Sequence, residues 1–407
     1  MKKITAVLLA VVGDWLAGAP AAHAIPAFAR ATGTNCYTCH TVFPELNRVG
    51  EEFRMHGYRF VSAAGQPWAW KDPAKFLAAG PPVAFRASAL YQASSDASLT
   101  PDDGSGHPYR RVASSFLPVG ATVIAAGNLA EHFSIWLDHD FGSADSANEA
   151  FVRINALATD LLNLRVGSFE LELPFSVAKT HNLFDYLVYD VGDAAASLAP
   201  FSFGEPQVGL EVSGHAGDTF RYAAALVNGD NNAAASSSNK GAFARVAAGP
   251  YAAHAGVSVY RGSAGIAPYS GGLTQGYRTD RVGRLAADVD THLGGWRLYG
   301  AYLAGFDSAA VAAGGALRAF GYGGGFVQAE YFWRKPHLHF SVRYDHVRSR
   351  ELEKLGVWSR DTERAVTPQI IWALRPEVLA KAGFQVLRDP HGETPKTLLA
   401  GVDWSVY

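Results

Sequence analysis

Cysteine is almost missing from this chain: its 407 residues include only two, Cys36 and Cys39, three positions apart. A framework of disulfides is excluded by that count. Methionine also occurs only twice, so a soft, Met-filled core is excluded as well. Charged residues make up 18% and the formal net charge is −2, which supplies neither the basic face that nucleic acid needs nor a strongly acidic tail. Beyond the first two dozen residues no apolar run approaches the roughly 20 residues of a membrane-spanning helix, so any passage through a bilayer has to be made by a closed β-barrel. What is plentiful is glycine (42), phenylalanine (23), tyrosine (17) and tryptophan (9), within a chain that is 48% hydrophobic. That mixture suits strands, tight turns and aromatic anchors better than packed helices.

The first segment has the layout of an export signal. Met1-Lys2-Lys3 is followed by an apolar run from Ile4 to Gly13 and by Ala22-His23-Ala24, a small-x-small cleavage site before Ile25. Asp14 and Pro20 interrupt the run too early for a membrane anchor. Residues 1–24 are therefore expected to be a signal peptide.

Both cysteines belong to Cys36-Tyr37-Thr38-Cys39-His40. Two thiols three positions apart can each take one vinyl group of a haem, and the next residue, His40, then lies under the iron as proximal ligand. A redox dithiol or half of a zinc site would use Cys-x-x-Cys alone, without the adjoining histidine. One covalently bound c-type haem is expected. Val42, Leu46, Val49 and Phe53, with Phe60 beyond, recur at helical spacing, which predicts a helix after His40 with Pro44 in its first turn and Gly57 at its end. Tyr58 to Val61 is expected to leave extended. The distal iron ligand is open between neighbours. Met55 would raise the reduction potential, whereas His56 continues the Leu46, Val49, Phe53 stripe. The haem segment is expected over residues 25–61, too small to be stable without haem or a neighbouring domain.

Trp68, Trp70, Pro73 and Pro81-Pro82 mark a linker over residues 62–82. From Val83 the texture is alternation. Val83, Phe85, Ala87, Ala89 and Tyr91 share one face against Arg86, Ser88 and Gln92. Leu285, Ala287, Val289, Thr291 and Leu293 oppose Asp288, Asp290 and His292, and Leu398, Ala400, Val402, Trp404 and Val406 oppose Gly401, Asp403 and Ser405. Gly294-Gly295 predicts a hairpin turn; Ser94 to Val112, Gly229 to Gly241 and Asp307 to Gly325 read as long loops. Alternating short and long connections, with Tyr331, Trp333, Tyr344, Trp358 and Trp372 along the strands, predict an antiparallel transmembrane β-barrel over residues 83–407 with on the order of 16 strands. The fold class is thus mainly β, with a small N-terminal α-helical haem segment. A soluble all-β protein is the competing reading of alternation alone. The chain ends on an aromatic, Tyr407, as outer-membrane barrels do, although Tyr407 is out of phase with Trp404 and Val406.

Pro26, Phe28-Ala29-Arg30 and Thr32-Gly33, then the haem motif, Thr41, Pro44-Glu45-Leu46, Gly50, Phe53 and Gly57-Tyr58, together resemble the fused cytochrome-porins of iron-oxidising bacteria. The match is specific for about thirty-five residues; further on it is one of architecture. The resemblance implies an outer-membrane barrel carrying one N-terminal haem on Cys36, Cys39 and His40, which takes electrons from extracellular Fe(II). A periplasmic cytochrome or copper protein would take them onward, making the chain an Fe(II):cytochrome-type oxidoreductase if it is counted as an enzyme.

A single haem serves electron transfer across a membrane about 30 Å thick only if it lies in or at the mouth of the barrel, so the haem segment is expected to plug the lumen. Arg86, Arg153, Arg165, Arg221, Glu330, Arg343, Asp345 and Lys381 are candidate inward charges to hold it. Asp138-His139-Asp140, and His337 with His339, are candidate contacts for a divalent cation, each with a solvated strand end as its plainer reading. The alternatives are a solute porin whose haem segment is a structural or redox-sensing plug, and an exported soluble cytochrome with a β-sandwich partner domain.

Overall fold

The haem segment begins as Cys36–Cys39 (α1), a single turn capped by the Asn35 side chain. A small antiparallel hairpin follows, His40–Val42 (β1) against Glu45–Leu46 (β2), and then the helix Arg48–Met55 (α2). The expected continuous helix is therefore wrong in its first half. Pro44 sits in the hairpin turn, and the helix starts only where the Asn47 side chain accepts a hydrogen bond from the Gly50 N–H at 3.0 Å. The end is as expected: Gly57, at φ 71°, donates to the Arg54 carbonyl while Tyr58 donates to the Phe53 carbonyl, a Schellman closure. Tyr58 has φ 64°, so the exit is not extended there.

This computed structural model describes Phe28 and residues 34–60, 83–96, 111–130, 132–141, 149–157, 159–176, 179–199, 201–231, 240–266, 278–334 and 337–406. The expected signal peptide, the linker and Tyr407 lie outside the described residues.

Seventeen strand segments follow. They are β3 (Val83–Asp96), β4 (Arg111–Phe116), β5 (Gly120–Ala130), β6 (Phe133–Phe141), β7 (Ala150–Ile154), β8 (Asn163–Phe169), β9 (Gln207–Ala216), β10 (Phe220–Val227) and β11 (Gly241–Ala248). Then come β12 (Ala253–Ile266), β13 (Arg278–Leu293), β14 (Trp296–Ala313), β15 (Ala316–Trp333), β16 (Leu338–Arg348), β17 (Thr362–Arg375), β18 (Val378–Arg388) and β19 (Lys396–Val406). Each pairs antiparallel with its neighbours, and β19 closes on β3. Because β4 and β5 pair in succession with the two halves of β3, they fill one position, and the barrel has 16 staves. Closure leaves no sheet edge unpaired, which a lipid-embedded sheet requires.

The alternation is that of a protein turned inside out. On β16, His339, Ser341, Arg343 and Asp345 are buried in the interior while Phe340, Val342 and Tyr344 are exposed outside. On β13, Leu285, Val289 and Leu293 face out and Asp288 and Asp290 face in. An apolar exterior over a charged interior is the surface a bilayer covers, which excludes the β-sandwich alternative. Trp296, Trp333 and Trp372 are exposed near one barrel mouth, the mouth with short turns, where an aromatic girdle belongs.

Connections alternate in length as expected, with one exception. Residues 307–325 are not a loop: β14 and β15 run on together to a two-residue turn at Gly314-Gly315, a tall hairpin of small residues. Trp358 is likewise not a strand residue. It lies buried after the short helix Arg350–Lys354 (α4) and donates from Nε1 to the Ala194 carbonyl at 3.0 Å. The longest connection, 170–206 between β8 and β9, carries α3 (Val191–Ala194) and folds into the lumen. There Phe175, Tyr186, Phe201 and Phe203 pack on inward Phe243, Tyr260, Tyr299 and Phe326, forming an apolar core inside the barrel.

Candidate functional site

The N-terminal segment, for which the sequence predicts a haem, sits inside the barrel at the short-turn mouth. Tyr37 stacks on His337 in the turn before β16, with ring centroids 4.6 Å apart, and Tyr251, in the turn before β12, donates to the Leu46 carbonyl at 3.3 Å. Val42 is buried against Ile371, Ala373 and Leu379 of β17 and β18. Arg153 donates to the carbonyls of Arg54 and Met55 at 2.9 and 3.0 Å. Arg54 pairs with Glu172 of the inward loop at 2.8 Å, Arg221 lies 3.8 Å from Glu51, and Arg297 lies 3.2 Å from Glu45. The segment is thus gripped on every side.

All eight candidate inward charges are on the inner wall, and three meet the N-terminal segment directly, Arg153 and Arg221 through polar groups and Arg86 through the Phe43 ring. Arg86 packs over the Phe43 ring at 5.4 Å while it and Lys381 share Asp403. Arg165 pairs with Glu211, and Arg343 pairs with Asp345 and donates to the Phe184 and Asp185 carbonyls of the inward loop. Glu330 reaches the segment through Arg297 and His181. Glu172, His181 and Arg297 were not anticipated. Two of these lie in a connection without a strand period, where no pattern indicates direction.

Cys36, Cys39, His40 and Met55 all line one cavity of about 620 Å³, shared between the haem segment and the barrel wall. That size lies within the range of cofactor sites. Neither cysteine is in a disulfide. His40 Nδ1 lies 3.0 Å from the Pro44 carbonyl, an acceptor only, so Nδ1 carries the proton and Nε2 keeps its lone pair. Burial holds the His40 pKa down to about 4, so the ring is neutral. Aromatic side chains complete the lining on the segment side: Phe28 stacks on Tyr58 and meets Phe53 edge-on, and Phe43 meets His40 edge-on. Two thiols, a neutral imidazole with an available nitrogen, a thioether and aromatic side chains on the segment side suit a covalently held haem, while the barrel side of the cavity is lined largely by charged groups.

Met55 and His56 part company at the helix end. Met55 lines the cavity; His56 is not among the lining residues and turns to the wall, with Nδ1 2.7 Å from the Glu52 carbonyl and its ring edge-on to His215 at 4.7 Å. The helical phase counted from Leu46 pointed to His56 because it placed Leu46 on the helix, whereas Leu46 belongs to β2.

The Asp138-His139-Asp140 triplet does not converge. Asp138 and Asp140 line the cavity, and His139 is exposed on the outer face, as strand alternation dictates. His337 and His339 also separate: His337 stacks on Tyr37, and His339 joins Glu45, His181 and Glu330 in a buried group.

No protein-family model matches the chain, and no curated protein matches it in sequence. Solved structures do. An anion-selective porin from Comamonas acidovorans superposes with a TM-score of 0.55 at 11% identity, over 80% of this chain and 99% of the porin. OmpT, an outer membrane protein of Vibrio cholerae, gives 0.52 at 9% identity, over 80% and 97%. The outer membrane channel DcaP of Acinetobacter baumannii gives 0.51 at 10%, again over 80% and 97%. At such identities the likeness is one of fold, and the fold is the closed 16-stave barrel of outer-membrane porins, the bacterial outer membrane being the location expected from the export signal and the strand pattern.

Proposed function

We propose that this chain is an outer-membrane electron-transfer protein, a porin-type barrel plugged by its own monohaem c-type cytochrome segment. The observation that carries this is the convergence of Cys36, Cys39, His40 Nε2 and Met55 on one cavity inside the barrel. Cys36 and Cys39 would hold the porphyrin, and His40 and Met55 the iron. A haem so held accepts and donates a single electron, and Met/His ligation gives it the raised potential that a weak reductant needs.

The position of the plug gives the two ends of the route different tasks. Short turns mark the periplasmic mouth of such barrels, and the haem segment lies there, within reach of a periplasmic cytochrome or copper protein. The extracellular donor has to come to it. Asp138 and Asp140 line the same cavity and would offer carboxylate oxygens to a divalent cation such as Fe(II), against the arginines that line the rest of it.

The test is direct. Haem-loaded protein in detergent, mixed anaerobically with Fe(II), is expected to show haem reduction within seconds; the Cys36→Ala/Cys39→Ala protein is expected to carry no covalent haem. No reduction in the loaded protein sinks the iron-oxidation reading.

The porin fold favours a second reading, a solute channel whose haem segment is a plug. In planar bilayers that reading predicts a steady ion conductance from the intact chain, whereas a lumen filled by the haem segment and the inward loop predicts little.

A further inference from the structure

Glu45 of β2, His181 of the inward loop, Glu330 of β15 and His339 of β16 bring their ligand atoms within 4.8 Å of one another, although they come from four different parts of the chain. All four are buried, at 4%, 1%, 2% and 1% exposure. Glu45 Oε2 lies 3.0 Å from His181 Nδ1, His181 Nε2 3.5 Å from Glu330 Oε1, and His339 Nε2 3.5 Å from Glu330 Oε2. The two imidazole rings are only 3.9 Å apart between centroids.

The Glu45–His181 and Glu330–His339 approaches have the reach of hydrogen bonds without their alignment. Glu45 Oε2, Glu330 Oε2 and both nitrogens of both histidines have no hydrogen-bond partner. Buried polar atoms left without an aligned partner are destabilising, so six in one place call for an occupant that satisfies them. The other oxygen of each carboxylate is well held. Glu330 Oε1 accepts from Gln328 Nε2 at 2.7 Å and from the Tyr299 hydroxyl at 3.0 Å, and Glu45 Oε1 lies 3.2 Å from Arg297 Nη1. One oxygen oriented by the protein and one left open is how outer partners fix a metal-ligating carboxylate. Charge agrees. Glu45, Glu330 and the adjacent Asp290 share one guanidinium, Arg297, with His292 Nε2 also 3.3 Å from Asp290, so the carboxylates around Glu45 and Glu330 outnumber the fixed positive charge.

We propose that Glu45, His181, Glu330 and His339 hold one resident divalent first-row transition cation that clasps the haem segment, the inward loop and the barrel wall together. Two imidazoles with two carboxylates and no thiolate suit Zn²⁺, Fe²⁺, Co²⁺ or Mn²⁺, and not the all-oxygen shells of Ca²⁺ and Mg²⁺. Complete burial suits an ion that stays rather than one in transit. The site does not depend on the haem reading, since none of the four residues is a proposed haem ligand.

The test uses the full-length, haem-loaded protein in detergent, equilibrated with Zn²⁺ and desalted. Elemental analysis counts first-row ions, with iron corrected for haem measured independently. About one ion per chain is expected in the unaltered protein and in His215→Leu, which breaks a second group of potential ligands found among the described residues, His56, Asp160 and His215. Close to none is expected in Glu330→Gln/His339→Leu, with heat-modifiable migration showing that the barrel has formed. Zinc-edge X-ray absorption of the unaltered protein is expected to show two imidazole nitrogens, carboxylate oxygen and no sulfur, a readout that needs no variant. An unaltered protein without a bound ion, or a count that falls in His215→Leu and not in the double variant, overturns the proposal; the four side chains would then be a buried cluster charged by histidine protonation.

Discussion

Met55 and His56 differ in function because a helix end turns successive side chains about 100° apart. The cavity receives Met55, and the barrel wall receives His56 through His215 and the Glu52 carbonyl. Replacing Met55 by His is expected to lower the reduction potential of the haem-loaded protein in a redox titration, because an imidazole replaces the thioether. His56→Leu is expected to leave the potential close to its original value. A second residue sets a pH dependence. Glu149, just before β7, faces the same cavity, and burial together with the nearby Glu170 carboxylate pushes its pKa up to about 7. Above that pH its negative charge favours oxidised over reduced iron, so the midpoint potential should fall as pH rises from about 6 to about 8, by at most about 59 mV per pH unit for one electron. Glu149→Gln is expected to flatten that part of the curve.

Among the elements, α1 and α2 meet with no room for a side chain at Gly50. A side chain at Gly50 would place its Cβ 2.1 Å from the Cys39 carbonyl oxygen, and that carbonyl also accepts the Asn47 N–H at 2.9 Å. Gly50→Val should therefore push α2 away from the haem-attachment turn, at a cost of roughly 1–3 kcal/mol or more. Haem content per folded barrel, measured on the same preparation, is expected to fall. The elements also show what a sequence can disclose. Strands such as β13 and β19 were legible residue by residue, because a surface between lipid and a charged lumen enforces a strict period of two. The Cys-x-x-Cys-His motif stands out in the sequence because the chemistry expected of it fixes its spacing. The hairpin at His40–Leu46 was hidden, since Val42 and Leu46 happen to fall at helical intervals from Phe53 while serving a two-stranded turn. The inward loop was hidden for another reason: Phe175, Tyr186 and Phe201 pack on the inner wall without any regular period, and the His181 side chain meets Glu45, Glu330 and His339 from β2, β15 and β16, which are remote in sequence. Likewise the Gly- and Ala-rich stretch 307–325 reads as loop because small residues carry no alternation, although it forms the tops of β14 and β15.

At the scale of the whole molecule, a barrel that encloses its own N-terminal segment gives up a wide open channel, and under the proposed function it gains a redox centre fixed near one mouth. The ion pairs that fix it, Arg54 with Glu172 and Arg297 with Glu45, join three regions far apart in sequence, so the plug and the barrel are expected to form one cooperative unit. The measurement that tests this arrangement most directly is electron transfer across a membrane. Haem-loaded protein is placed in sealed vesicles containing an oxidised soluble cytochrome, and Fe(II) is added anaerobically to the outside. The account predicts that the enclosed cytochrome is reduced through protein oriented with its long loops outward, and that the Cys36→Ala/Cys39→Ala barrel does not support this. An enclosed cytochrome that stays oxidised while the barrel is folded and fully loaded with haem would contradict it.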